Sequence, residues 1–175
     1  MSRSVGTTIA DSLQVALGYA DRLLKDVNPK KFSRFAIVGN QTIQSNHAAF
    51  ILGHLSLYAP RIVEQLGGAT SSIAPPAAYE TLFSKDATCQ DDLHGAIYPQ
   101  MSAVVNQFTM GYQAALGALR QASDDQFQQP NPGSGRIAEL FPTLGSMHAF
   151  YCGGHIMMHL GQLSAWRRMQ GLGPA

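Results

Sequence analysis

Apolar residues in this chain recur at steps of three and four in four separate stretches, and Pro- and Gly-rich connections divide those stretches. That period places apolar side chains on one face of a helix, whereas a strand would need strict alternation. The first stretch follows Thr7-Thr8 with Ile9, Leu13, Ala16, Leu17, Ala20, Leu23 and Leu24, and closes at Asn28-Pro29. Asp11, Gln14, Asp21, Arg22 and Lys25 fall on its opposite, solvated face. A second begins near Ile43 to Asn46 and continues through Ala48, Phe50, Ile51, Leu52, Leu55, Leu57 and Tyr58 to Ile62, Val63 and Leu66, ending at Gly67-Gly68. Pro60 should kink or divide it, because proline removes a backbone donor and crowds the preceding turn.

A third helix is expected from Gln90 or Leu93 to Ala122, with Pro99 tolerable only near its first turn. The fourth should be capped by Thr143, run to Gln170 and stop at Gly171-Leu172-Gly173-Pro174, with Arg167 and Arg168 near the negative end of its dipole. Gly153-Gly154 inside it costs helix propensity, about 1 kcal/mol per glycine, which marks a close approach by another backbone or a ligand. Between the helices, Lys30 to Gly39 reads as a connector, and Ala69 to Asp86 as a long loop of the kind that lies over a site. Gln126 to Arg136 is turn chemistry, and Ile137 to Phe141 a short helical turn. No convincing strand and no internal repeat are visible. The expectation is an all-α fold, a four-helix bundle with long connections forming a single domain over residues 1–175.

With 45% hydrophobic and only 13% charged residues, the chain suggests helix faces covered beyond the core, as in a homodimer. A net charge of +1 without a basic stripe argues against nucleic acid as a partner. No apolar run is long enough to cross a membrane and the first residues lack a secretory apolar core, so a soluble, cytoplasmic protein is expected. Cys89 and Cys152, far apart, are expected to be free thiols.

The chemistry lies in the last stretch, which holds three of the six histidines: His148, His155 and His159. On a helix His155 and His159 are one turn apart on one face, with about 6 Å of axial rise between them, so both imidazoles can reach one ion. The alternative is a pair of packed, hydrogen-bonded histidines at the edge of the core. His148 shares the face two turns away and suits the mouth of a site better than the same ion. His47 and His54, seven apart on the second helix, share a face too, and one of them is expected to reach the centre. His94 reads as a surface or capping residue. Met157, Met158 and Trp166 read as packing, and Cys152 as a small buried residue near the histidines. Neither a Ser-His-Asp arrangement nor a phosphate-binding Gly-rich loop is recognisable.

Two segments, Asn46-His47-Ala48-Ala49-Phe50-Ile51-Leu52-Gly53-His54-Leu55 and His155-Ile156-Met157-Met158-His159-Leu160-Gly161-Gln162 with the following Trp166-Arg167-Arg168, resemble the hallmark stretches of the DinB-like (DinB/YfiT) superfamily. The resemblance implies a four-helix bundle of DinB/YfiT topology, dimeric, holding a divalent metal ion, zinc or nickel, on three histidines. By place in the motif those are His54, His155 and His159, with His47 as the alternative to His54. It also implies a metal-dependent transferase using a low-molecular-weight thiol. A metal-dependent hydrolase, or a non-enzymatic stress-response bundle that binds metal or a small molecule, are the alternatives. No carboxylate stands in a motif beside the histidines, so no general base is named.

Overall fold

The computed structural model describes residues 3–175. Helix α1 (Val5–Leu24) buries Ile9, Leu13, Ala16, Leu17, Ala20 and Leu23, the three-and-four stripe expected of it. Its cap is Ser4, whose hydroxyl accepts from the Thr7 amide, so the helix starts ahead of the Thr7-Thr8 pair. The second stretch is divided at Pro60 into α2 (Ala48–Ser56) and α3 (Ala59–Gln65), and Gly67 follows with a φ of 81°, the left-handed geometry that ends a helix.

The remaining elements are α4 (Ala78–Phe83), α5 (Met101–Gln121), α6 (Asp124–Phe127), α7 (Arg136–Leu140), α8 (Leu144–Ala149), a π-helical segment (Phe150–His155) and α9 (Ile156–Met169). Thr143 caps α8 as expected, with Ser146 returning the hydrogen bond. In this predominantly helical bundle, α1 and α2 each pack against both α5 and α9, and α3 packs against α5. Leu13, Leu23, Ile51, Leu52, Leu55, Tyr112, Leu119, Leu163 and Trp166 meet in its core. Among the described residues, no helix is long and apolar enough to cross a membrane.

Several expectations need correction. The stretch Ala69 to Asp86, expected as loop, contains α4, which buries Tyr79 and Phe83. The connector after α1 holds an antiparallel hairpin, β1 (Ala36–Val38) and β2 (Gln41–Ile43), so the fold is not purely helical. Gly39, at a φ of 62°, makes its tight turn. The start of α5 lies at Met101, not at Gln90 or Leu93. Asp92 is the reason: its buried carboxylate accepts from the Ala96, Ile97 and Tyr98 amides at 2.9, 3.0 and 3.1 Å, which gives that backbone a partner outside any helix. Arg34 clamps the neighbouring Asp91 through two bonds of 2.7 and 2.9 Å. Finally, Met157 and Met158 are exposed rather than packed.

The buried Arg167 stands in the last turn of α9 as expected, bonds the Leu172 carbonyl just beyond it at 3.2 Å, and also serves α1. Its guanidinium donates to the carbonyls of Leu23, at 3.0 Å, and Lys25, which the end of α1 leaves without helical partners. Trp166 reaches the Arg34 carbonyl through its indole N–H at 2.9 Å. The closing helix is thereby pinned to α1 and to the hairpin's base.

One glycine controls how α4 docks. A Cβ on Gly53 would lie 2.6 Å from the ring of Phe83, so α4 can seat on α2 only where residue 53 has no side chain. Gly53→Ala should therefore destabilise the protein by about 1–3 kcal/mol in urea unfolding. Gly18→Ala, where the nearest atom would be the flexible Arg22 guanidinium at 3.9 Å, should be neutral or stabilising by up to about 1 kcal/mol. Equal effects from the two substitutions would contradict this account.

Candidate metal centre

The site forms where the last turn of α2 faces the junction of the π segment with α9. His54, His155 and His159 meet there, with ring centroids 5.6, 4.8 and 4.7 Å apart pairwise. One ligand atom from each lies within 4.8 Å of the others. In a tetrahedral zinc site nitrogen ligands are about 3.3 Å apart, so the widest gap closes with about 1.5 Å of relative side-chain movement. Among the described residues this is the single such cluster of His, Cys, Asp and Glu side chains, and no thiol or carboxylate joins it.

Two of the rings are oriented by partners. His54 Nδ1 lies 2.7 Å from the Phe83 carbonyl oxygen, an acceptor only, so Nδ1 carries the proton and Nε2 the lone pair. His159 Nδ1 lies 3.0 Å from Gln162 Oε1, which fixes the same tautomer. Asn46 also donates to that oxygen, at 3.5 Å, tying the approach to α2 to the site. An acceptor behind each imidazole is the usual outer support of metal-ligating histidine. His155 Nδ1 is buried without a partner.

Burial pushes all three histidines below their ordinary pKa, and His155, with the other two rings beside it, falls to about 3. At neutral pH the cluster is therefore three neutral imidazoles, the protonation state that binds a metal. Three neutral rings this close, two of them with Nδ1 already committed to an acceptor, make a ready donor set. The residues present fit a divalent ion.

Of the two candidates on the second helical stretch, His54 is the one brought to the centre. His47 is committed elsewhere as the cap of α2: its Nδ1 accepts from the Phe50 amide at 3.2 Å and its Nε2 donates to the Gln90 carbonyl at 3.0 Å. His148 is fully buried instead of lining a mouth. The π segment accounts for this, because widening the turn shifts the register by about one residue, or about 100°, and undoes the face His148 would share with His155 on a regular α-helix. Cys152 is buried in the core, where its thiol pKa rises to about 12, and it stands outside the cluster. His94 is exposed, as a surface residue should be. At Gly153 the close neighbour is a side chain rather than the backbone or ligand expected: a Cβ there would lie 3.2 Å from Ser12 Oγ on α1.

Two tyrosines complete the surroundings. Tyr58 packs its ring 5.1 Å from His54 and 4.5 Å from His155, and Tyr151 lies 5.3 Å from His155 and 5.1 Å from Tyr58. Burial raises the pKa of Tyr58, so its hydroxyl stays protonated as a donor. Both were accessible to sequence reasoning, because Tyr58 follows His54 by four residues and Tyr151 precedes His155 by four, the spacing of helix neighbours. The Phe83 carbonyl had no such signal, since a backbone oxygen leaves no mark in the sequence.

Compared with protein-family models, curated proteins and solved structures, the chain matches none of them.

Gln162→Leu removes the acceptor behind His159 and leaves the three imidazoles in place. Zinc affinity measured by competition with a chromophoric chelator should fall by about 10- to 100-fold. Unchanged affinity would mean that Gln162 does not orient the ligand.

Proposed function

We propose that this chain is a DinB-like protein that holds a divalent metal ion, zinc or nickel, on His54, His155 and His159, and that it catalyses transfer of a low-molecular-weight thiol to an electrophile. The observation that carries the proposal is a cluster of three neutral imidazoles from two facing helical columns, with no fourth His, Cys, Asp or Glu side chain beside them among the described residues. Three protein ligands and one open position characterise catalytic rather than structural zinc. The placement of one histidine at the end of α2 and two on the closing helix supports the DinB/YfiT topology that the sequence motifs suggest.

A divalent metal bound there supplies Lewis acidity, which favours the thiolate form of a bound thiol at neutral pH. The chain's own contribution is arrangement. The Phe83 carbonyl and Gln162 hold His54 and His159 in the ligating tautomer. The rings of Tyr58 and Tyr151 pack beside His155 and limit water around it. The protonated Tyr58 hydroxyl is a donor for negative charge developing on a leaving group. With no carboxylate in the cluster, the thiol's proton passes to solvent in this scheme rather than to a dedicated acidic side chain.

The test is conjugation by zinc- and nickel-loaded protein of glutathione, bacillithiol or mycothiol to monochlorobimane and to an epoxide, followed by mass spectrometry of the adduct. Adduct formation above the uncatalysed rate, abolished in His159→Ala, is the expected result. Hydrolysis of an ester or amide panel without thiol adducts would replace this reading with a metal-dependent hydrolase. Inactivity in both, by protein shown to carry metal, would leave a non-enzymatic metal-binding bundle.

A further inference from the structure

Beside the histidine cluster, behind the two tyrosines, lies a cavity of about 170 Å³ bordered by Tyr58, Arg61, Gln65, Gly133, His148 and Tyr151. Its wall is shared with the metal centre, because Tyr58 and Tyr151 are the rings packed on His155. His148 is the unusual member. It has no exposed surface, yet neither Nδ1 nor Nε2 has a hydrogen-bond partner among the described residues. Phe127 meets its ring edge-on at 6.5 Å and offers nothing polar. A buried polar group left unpaired is costly, so the chain retains an arrangement that some occupant of the cavity would relieve.

The other polar groups indicate what that occupant is. Arg61 is the cation on the lining, its guanidinium 5.4 Å from the centre of the Tyr58 ring. Its contact with Glu80 is long, at 3.4 Å, and both side chains are more than half exposed, so the pair is weak and Arg61 can be recruited away from it. A cationic group would be repelled by Arg61, and a purely apolar one would leave His148 unpaired. A phosphate dianion would call for more positive charge than one guanidinium supplies. A carboxylate matches both a guanidinium and an imidazole N–H, and a short acid fits the volume.

We propose that this cavity receives a small carboxylate at the end of the substrate remote from the reacting atom, with Arg61 and the N–H of His148 donating to its oxygens. The part of this inference concerning the reacting end rests on the metal-dependent reading above; the carboxylate site itself does not. Tyr58 and Tyr151 then separate the binding subsite from the histidine cluster, and Arg61 and His148 set which substrates are accepted.

The experiment is a titration of the full-length, zinc-loaded protein with propionate, and in parallel with its uncharged isostere propionamide, followed through the His148 ring nitrogens by long-range ¹H–¹⁵N NMR. The His148→Leu variant assigns those resonances, and zinc content is measured in every sample. Saturable propionate binding that shifts the His148 resonances is expected, weakened at least about tenfold in Arg61→Gln with zinc retained and absent for propionamide. No saturable binding, an equal response to propionamide, or equal affinity in the exposed-site variant Arg61→Gln would overturn the proposal and leave His148 facing water or an unfilled space. The propionate titration is repeated on metal-free protein. Failure to bind zinc would count against the metal reading, and failure to bind propionate against the subsite, each without deciding the other.

Discussion

The hydrogen bond between His54 Nδ1 and the Phe83 carbonyl, 2.7 Å long, is the interaction on which the arrangement of the centre turns. It requires α4 to sit directly on α2, and that in turn requires Gly53, because any Cβ at this position would occupy the place of the Phe83 ring. The bond selects the tautomer, so His54 presents Nε2 to the closing helix with a lone pair rather than a proton. A glycine next to a histidine thus acts through packing on the electronic state of that histidine. The same device recurs on α9, where Gln162 fixes His159 and is itself held by Asn46.

The closing helix solves a second problem of phase. A regular α-helix from Leu144 to Met169 would carry His148 and His155 on one face, and all three of its histidines would compete for one side of the bundle. The π segment Phe150–His155 rotates what precedes it, sending His148 toward Phe127 while His155 and His159 stay together opposite His54. π segments are uncommon and concentrate at functional sites. Here the segment ends on a candidate ligand and separates two polar centres that share the wall formed by Tyr58 and Tyr151.

The helices were legible in the sequence because their apolar period is long and their stops are Pro and Gly, as with Leu13 to Leu24 before Asn28-Pro29 and the break at Pro60. The hairpin was not, since three-residue strands such as Ala36–Val38 are too short to show alternation. The start of α5 is not legible in the sequence because Asp92 satisfies three backbone amides through its side chain, an arrangement that periodicity does not register. His54, His155 and His159 follow from spacing and from the family resemblance, whose motif puts His54 ahead of His47, and the capping role that the fold gives His47 agrees with that order. The π turn lacked a clear signature beyond Gly153-Gly154, so the burial of His148 and the cavity beside it could be seen only in three dimensions.

The central claim is that three imidazoles hold one metal ion and leave one position for an exogenous ligand. X-ray absorption at the metal K-edge, on untagged protein loaded with zinc and checked for stoichiometry by elemental analysis, tests it most directly. The account predicts one zinc per chain with three imidazole nitrogens at about 2.0–2.1 Å and one light-atom ligand that is replaced by sulfur, at about 2.3 Å, when a thiol is added. Substoichiometric zinc, or a four-coordinate shell of protein ligands that added thiol does not alter, would contradict it.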